Sequence, residues 1–235
     1  MSPGSAQPLV LLPGSGCTPA LWSGLDLPAD VVTPVLEADT LDGEVDRLLA
    51  VLPPRFALAG LSLGAIVAMA FVRRAPERVE RLALLSTNPY APTPAQRVGW
   101  AAQREVLRTD SARALQTSLL PVLRSPGRTD LDDLVLGMAD ELGADTYAAQ
   151  CRLQDTRVDE RPGLAQVRCP TLVVAARDDR LCPVERHEEI AALVPGAELV
   201  VLDDCAHLSP LEQPEALSGH LSRWLAVRPG EPSVP

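Results

Sequence analysis

FALAGLSLGAIVAMAFV, residues 56–72, is a short apolar run that continues, through a serine flanked by glycines, into a longer apolar segment. The run Phe56 to Ala59 is typical of a buried strand, and Ser62 to Arg73 is predicted to be a helix. The turn between them has the pattern G-x-S-x-G. In so sharp a turn the serine takes a strained backbone conformation, and glycines on both sides remove clashing Cβ atoms. The stretch therefore predicts that the Ser62 hydroxyl stands above a sheet as a nucleophile.

Strands and helices alternate on both sides of this segment. Apolar runs predict further strands at Leu9 to Leu12, Val31 to Leu36, Leu82 to Leu85, Thr171 to Ala175 and Glu198 to Leu202. Helical spacing of apolar residues predicts helices at Asp42 to Leu52, Val184 to Val194 and Pro214 to Ala226. This order indicates an α/β fold with a mostly parallel, doubly wound sheet.

Residues 88–168 interrupt the alternation and contain only helical patterns. The predicted helices are Pro94 to Leu107, Ala112 to Leu119, Leu131 to Leu142 and Asp145 to Arg157. We expect this segment to be an all-helical cap inserted into a core of residues 1–87 and 169–228, covering the sheet edge where ligands bind in such folds. Residues 229–235 are expected to form a flexible tail.

Composition narrows the class of protein. A chain of 235 residues with 46% hydrophobic and 22% charged residues is typical of a soluble globular domain. Its net charge of −10 argues against nucleic acid and anionic membranes as partners. Five scattered cysteines without a C-x-x-C motif indicate reduced thiols rather than a metal site. No basic segment precedes the first apolar run, so a cytoplasmic location is expected.

A nucleophilic serine needs a general base, and the chain has three histidines. His187 and His220 lie within helical patterns and are interpreted as surface or packing residues. His207 lies in a loop between the last predicted strand and the last predicted helix, which places it at the carboxyl edge of the sheet. Because Ser62 is expected at the same edge, His207 is the candidate base.

A carboxylate must hold that base in one tautomer. Asp178 and Asp179 both follow the strand that ends at Ala175, and spacing alone does not choose between them. The chain order serine, aspartate, histidine is the one found in sheets with a G-x-S-x-G turn.

Acyl transfer also requires donors for an oxyanion. The amide of Leu63, next to the nucleophile, and that of Ser15, in the glycine loop after the first strand, are the predicted donors. Gly14 and Gly16 of that loop, with Trp100 and Tyr147 of the cap, are predicted to line the substrate pocket. The chain has few aromatic residues, so the remaining lining is expected to be aliphatic.

The residues resemble the α/β-hydrolase superfamily, in particular its small single-domain serine hydrolases with a helical cap. The resemblance is carried by PGSG (13–16), GLSLG (60–64), PERVERLALLS (76–86), CPTLVVAARDDRLCP (169–183) and AHLSPLEQPE (206–215), and it extends over nearly the whole chain. The family pattern implies that the acid is Asp179, four residues before the closing proline. It also implies no metal and no organic cofactor. The chain departs from the pattern at Pro13, where the family usually has a histidine that braces the oxyanion loop.

The leading hypothesis is hydrolysis of a small or medium carboxylic ester or thioester through an acyl-enzyme on Ser62. One alternative keeps the triad but cleaves carbon–carbon bonds, or acts as an acyl transferase or cyclase in secondary metabolism. An alternative of another class is a ligand-binding protein that has kept the fold without catalysis. The cap holds nearly equal numbers of acidic and basic residues, so no strongly charged substrate is demanded. Arg104, Arg108 and Arg113, expected on one cap helix, form the patch that could attract an acidic carrier protein.

Overall fold

The computed structural model describes residues 8–227. Within them, six strands form one sheet: β1 (Leu9–Leu12), β2 (Val31–Val32), β3 (Phe56–Leu61), β4 (Val79–Leu85), β5 (Thr171–Ala176) and β6 (Glu198–Leu202). Their order in the sheet is β2-β1-β3-β4-β5-β6, and each neighbouring pair is parallel. The predicted fold class, a doubly wound parallel sheet, is confirmed.

Nine α-helices connect or follow these strands in the described chain. They are α1 (Leu41–Val51), α2 (Leu63–Arg74), α3 (Pro94–Thr109), α4 (Ala112–Leu123), α5 (Asp132–Asp155), α6 (Arg161–Leu164), α7 (Val184–Leu193), α8 (Ser209–Glu212) and α9 (Pro214–Ala226). None of the helices within residues 8–227 combines the length and the apolar character needed to cross a bilayer.

The two faces of the sheet are buried against different helices. Along β1, Val10 and Leu12 join an apolar cluster with residues of α1, α2 and α7. Leu9 and Leu11 point to the opposite cluster, which includes residues of α4, α5 and α9. This alternation follows from the two-residue period of a strand, so β1 is apolar on both faces and fully buried.

The strand predicted at Val31 to Leu36 is wrong over most of its length. Only Val31 and Val32 pair with β1, and both are exposed at the edge of the sheet. Leu36 is buried in the core, although it lies outside any strand. The apolar run therefore consists of a short strand followed by a loop that is anchored in the core and leads to α1. Apolar residues occur in both, so apolarity alone does not distinguish a strand from such a loop.

The helices α3 to α6 all lie between β4 and β5, within the range 88–168. Trp100, Leu115 and Tyr147 belong to an apolar cluster formed by α3, α4 and α5. We propose that these helices form the cap as a unit distinct from the core. The predicted tail at 229–235 lies outside the described residues.

Candidate active site

The turn between β3 and α2 holds Ser62 in an unusual backbone conformation, with φ 54° and ψ −112°. The flanking glycines are required by close approach. A Cβ on Gly64 would lie 2.0 Å from the carbonyl oxygen of Leu12, and one on Gly60 would lie 2.4 Å from the Gly64 backbone. The Ser62 amide donates to the Leu85 carbonyl at 2.9 Å, which ties the turn to β4. The turn is thus fixed by its neighbouring strands.

His207 and Asp179 meet at the carboxyl ends of β5 and β6. The imidazole Nδ1 lies 2.8 Å from Asp179 Oδ2, and both residues are buried. Asp178 is exposed and makes no such contact. Because Nδ1 is engaged by the carboxylate, Nε2 is the nitrogen that can accept a proton from a hydroxyl.

Asp179 is held as a carboxylate by four hydrogen-bonding and charge interactions. Its Oδ1 accepts from the amides of Leu181 at 2.8 Å and Cys182 at 3.0 Å. Burial alone would raise the pKa of Asp179, but the charge and hydrogen bond of His207 and the two amides outweigh it and lower that pKa. An ionised Asp179 can therefore stabilise a protonated His207.

Ser62 and His207 line one cavity of about 300 Å³ beneath the helices α3 to α5. No hydrogen bond joins the Ser62 hydroxyl to His207 among the described residues. Such contacts are often long without substrate and tighten when substrate binds. The cavity therefore brings together the predicted nucleophile, base and, behind the base, the acid.

The loop after β1 places a second set of amides beside the nucleophile. Gly14 and Ser15 line the cavity, and within residues 8–227 the amides of Ser15 and Leu63 have no protein acceptor. Leu63 is the first residue of α2, where backbone amides have no partner inside the helix. The two amides predicted as oxyanion donors are thus both available.

Gly16 does not line the cavity as predicted. Its amide donates to Oε1 of Gln150 at 2.9 Å. The side chains of Gln116 and Tyr147 cover its Cα, and a Cβ at this position would lie only 2.7 Å from each of them. A positive φ of 72° gives Gly16 a turn role. A glycine is required here by the packing of α4 and α5 against the loop, and Gly16 does not line the cavity.

Trp100 and Tyr147 both line the cavity. Trp100 is 8% exposed, and Tyr147 is 2% exposed with its hydroxyl donating to Gln116 Oε1 at 2.7 Å. The aromatic rings close the cavity from the side of α3 and α5.

The rest of the lining is more polar than the aliphatic wall that was expected. Alongside Ile66, Leu119 and Leu123 it includes polar side chains from the loop after β4, from α3, from α5 and from the residues that follow α5: Thr87, Asn88, Gln96, Gln103, Gln154 and Arg157. Sequence reasoning did not find these residues, because each lies in an ordinary amphipathic helix or loop without a motif. The spacing of Gln96, Gly99 and Gln103 along one face of α3 is the signal that was present.

Cys182 lies close to Asp179 and His207, and these three residue types can bind a metal. Potential ligand atoms of Asp179, Cys182 and His207 lie within 4.8 Å of one another. Burial raises the pKa of the Cys182 thiol to about 12, so the sulfur keeps its proton at neutral pH. Since the other two groups are hydrogen-bonded to each other, the arrangement favours proton transfer over metal binding.

Neither of the other two histidines lines the cavity. His187 is fully buried, accepts from the Thr87 amide at 2.9 Å through Nε2, and faces the Pro183 carbonyl through Nδ1. His220 contacts Arg223 in α9. Both are interpreted as packing or surface residues, as the sequence indicated.

A family model described as the alpha/beta hydrolase fold matches residues 12–214. A pimeloyl-(acyl-carrier protein) methyl ester esterase from Aromatoleum aromaticum is 32% identical over 241 residues, which cover 88% of this chain and 93% of the relative. A protein of the same name from Nitrosomonas europaea is 26% identical, with 90% and 93% covered.

Among solved structures, a thermophilic esterase from Thermogutta terrifontis superimposes with a TM-score of 0.83. It is 23% identical and matches over 94% of this chain and 90% of that chain. At this identity the likeness shows the shared fold.

Proposed function

The chain belongs to the α/β-hydrolase fold family and is a hydrolase, and we propose that it cleaves small or medium carboxylic esters through an acyl-enzyme on Ser62. The observation that carries the proposal is the 2.8 Å contact between His207 Nδ1 and Asp179 Oδ2, in a site whose cavity Ser62 also lines. Relatives that are methyl ester esterases support an ester over other acyl substrates.

The proposed reaction follows from the roles these groups can take. His207 Nε2 removes the proton of Ser62 as Oγ attacks the ester carbonyl carbon, while Asp179 stabilises the imidazolium that forms. The carbonyl oxygen becomes an oxyanion that accepts hydrogen bonds from the amides of Ser15 and Leu63. His207 then gives its proton to the departing alcohol. In the second half of the reaction His207 Nε2 takes a proton from water as the water oxygen attacks the acyl carbon, the bond to Ser62 Oγ breaks, and His207 returns the proton to Oγ as the acid leaves.

Replacing Ser62 with alanine tests this proposal. We expect kcat for p-nitrophenyl acetate or butyrate to fall by about 10³-fold or more, because the attacking oxygen is removed. The matched control is Ser23→Ala, which alters an exposed serine outside the cavity and should leave turnover unchanged. A fluorophosphonate probe should add its mass to the wild-type chain and not to Ser62→Ala. Turnover that survives in Ser62→Ala would overturn the acyl-enzyme.

A further inference from the structure

The cavity wall contains a guanidinium group that is charged at neutral pH. Arg157 follows the end of α5 and lines the same cavity as Ser62 and His207. Arg157 is only 5% exposed, and its Nε has no hydrogen-bond partner among the described residues. Arginine does not lose its charge in proteins, so this is a buried positive charge in the cavity that Ser62 lines.

No carboxylate balances this charge within residues 8–227. Thirteen arginines make a salt bridge in the described chain, and Arg157 is not among them. Burial lowers the pKa of Arg157; an interaction with Cys182 acts in the opposite direction, and the positive charge of Arg97 acts in the same direction as burial. A buried charge is ordinarily paired or bound to a ligand, because leaving it without a counter-ion is costly.

Two neighbours hold the guanidinium in place without neutralising it. One Arg157 Nη donates to Gln96 Oε1 at 3.1 Å, and that same oxygen accepts from the Thr93 amide at 2.9 Å in the cap of α3. The guanidinium carbon lies 5.1 Å from the centre of the Trp100 ring. Stacking on the indole fixes one face of the group and leaves its edge with unused N–H donors.

We propose that Arg157 binds a free carboxylate on the substrate, so that the preferred ester carries a negative charge remote from the scissile bond. This inference rests on the proposed esterase function and deepens it. A guanidinium edge matches the two oxygens of a carboxylate, which can take up two parallel hydrogen bonds. With the reacting carbonyl at Ser62 and the carboxylate at Arg157, the substrate spans the cavity. Half-esters of dicarboxylic acids and acyloxy carboxylic acids are the two substrate types with this chemistry.

Matched pairs of substrates test the proposal with the wild-type enzyme. Monomethyl esters of the C4 to C8 dicarboxylic acids are compared with methyl alkanoates of equal length, and acetoxy carboxylic acids with the corresponding alkyl acetates. We expect kcat/KM for one charged series to exceed its neutral partner by about tenfold or more, at the chain length that matches the cavity. Which series responds tells whether the carboxylate lies in the acyl part or in the leaving group. Equal rates for charged and neutral esters in both series would overturn the proposal.

Substitutions at Arg157 separate charge recognition from folding. Arg157→Met should lower kcat/KM for the charged ester by about 10- to 100-fold and lower kcat/KM for the neutral ester by a much smaller factor. Arg157→Lys should lose less, because it keeps the charge without the planar fork. Arg168→Gln removes the same charge from an exposed site outside the cavity and should change neither rate. Equal loss on both esters in Arg157→Lys would show a structural role and contradict the proposal.

A binding measurement tests the role of Arg157 even if the protein hydrolyses none of these esters. Glutarate or adipate should bind to Ser62→Ala by calorimetry and fail to bind to Ser62→Ala with Arg157→Met. Binding without any Ser62-dependent hydrolysis would sink the proposed function alone. Hydrolysis of neutral esters without carboxylate binding would sink the Arg157 assignment alone.

Discussion

Gln150, fully buried on α5, connects the helical segment to the oxyanion loop. Its Nε2 donates to the Leu36 carbonyl at 2.8 Å, and its Oε1 accepts from the Gly16 amide at 2.9 Å. The loop lacks the histidine that usually braces it, since Pro13 occupies that place. Gln150 hydrogen-bonds to this loop from α5, and we infer that it helps to position the Ser15 amide.

Replacing Gln150 with leucine is therefore expected to displace the oxyanion donor. We expect kcat to fall by about tenfold or more with KM within about twofold, because full loss of one such donor costs about 10²- to 10³-fold. Gln150→Glu keeps an acceptor for Gly16 and should lose less. Steady-state kinetics on p-nitrophenyl butyrate measure the split, and thermal unfolding checks the fold. An unchanged kcat in Gln150→Leu would contradict this positioning role.

His187 makes the stability of the protein depend on pH. Burial lowers its pKa from 6.5 to about 4 in the folded state. The unfolded chain binds a proton there below about pH 6.5 and the folded protein does so only below about 4. The stability that comes from a neutral His187 is therefore complete above pH 6.5 and is lost as the pH falls toward 4, by roughly 3 kcal/mol.

His187→Gln should remove most of this dependence, because the glutamine oxygen can accept from the Thr87 amide without titrating. Urea unfolding at pH 7.0 and 4.5 gives the free energy of unfolding for both proteins. We expect the difference between the two pH values to shrink in the variant, and to change much less in His220→Gln on α9. An unaltered difference in His187→Gln would argue against a neutral buried imidazole.

Helix α5 shows how one glycine sets the shape of an element. The sequence predicts two helices here, Leu131 to Leu142 and Asp145 to Arg157, and the structure runs them together from Asp132 to Asp155 with a break at Gly143. Gly143 has φ 77° and ψ 163°, a conformation open almost only to glycine. The break turns the second half of α5, which carries Tyr147 and Gln150, toward the glycine loop.

A pair of alanine substitutions in α5 separates backbone strain from helix propensity. A Cβ at Gly143 or at Gly137 meets nothing within 4 Å, so neither change causes a clash. Gly143→Ala should lower the free energy of unfolding by about 1 to 3 kcal/mol because of its backbone conformation. Gly137→Ala, in the exposed interior of the same helix, should raise it by about 0.5 to 1 kcal/mol. Denaturant unfolding of both variants gives the signs, and equal signs would refute the strain at Gly143.

At the scale of the whole molecule, the arginines of the helical segment are used within the chain. Arg104 pairs with Asp155, Arg108 with Glu105, and Arg113 with Asp140. The prediction that these arginines share one helix is wrong, since the first two lie on α3 and Arg113 lies on α4. With these three arginines paired and a net charge of −10, this surface does not favour an acidic carrier protein.

The arginines differ in whether their charge is paired, and their exposure to solvent explains the difference. Exposed arginines such as Arg108 and Arg161 pair with neighbours near in sequence, where solvent screens them and the gain is small. Arg157 is different because the packing of α3 against α5 removes water from it and supplies no anion. The same packing of α3 against α5 forms part of the wall of the cavity above the sheet, and it therefore places the charge of Arg157 in that wall.

The sequence by itself determined the parallel sheet and identified Ser62, His207 and either Asp178 or Asp179 as candidate site residues, and the family resemblance selected Asp179. It could do so because strand burial, glycine-flanked turns and chain order are local properties: Gly60 and Gly64 are recognisable from their immediate neighbours. The short β2, the covered Gly16 and the roles suggested for Gln150 and Arg157 were decided by the tertiary structure alone. These depend on which side chains of separate helices meet after packing, and such contacts between residues far apart in the chain leave no pattern in the sequence around them.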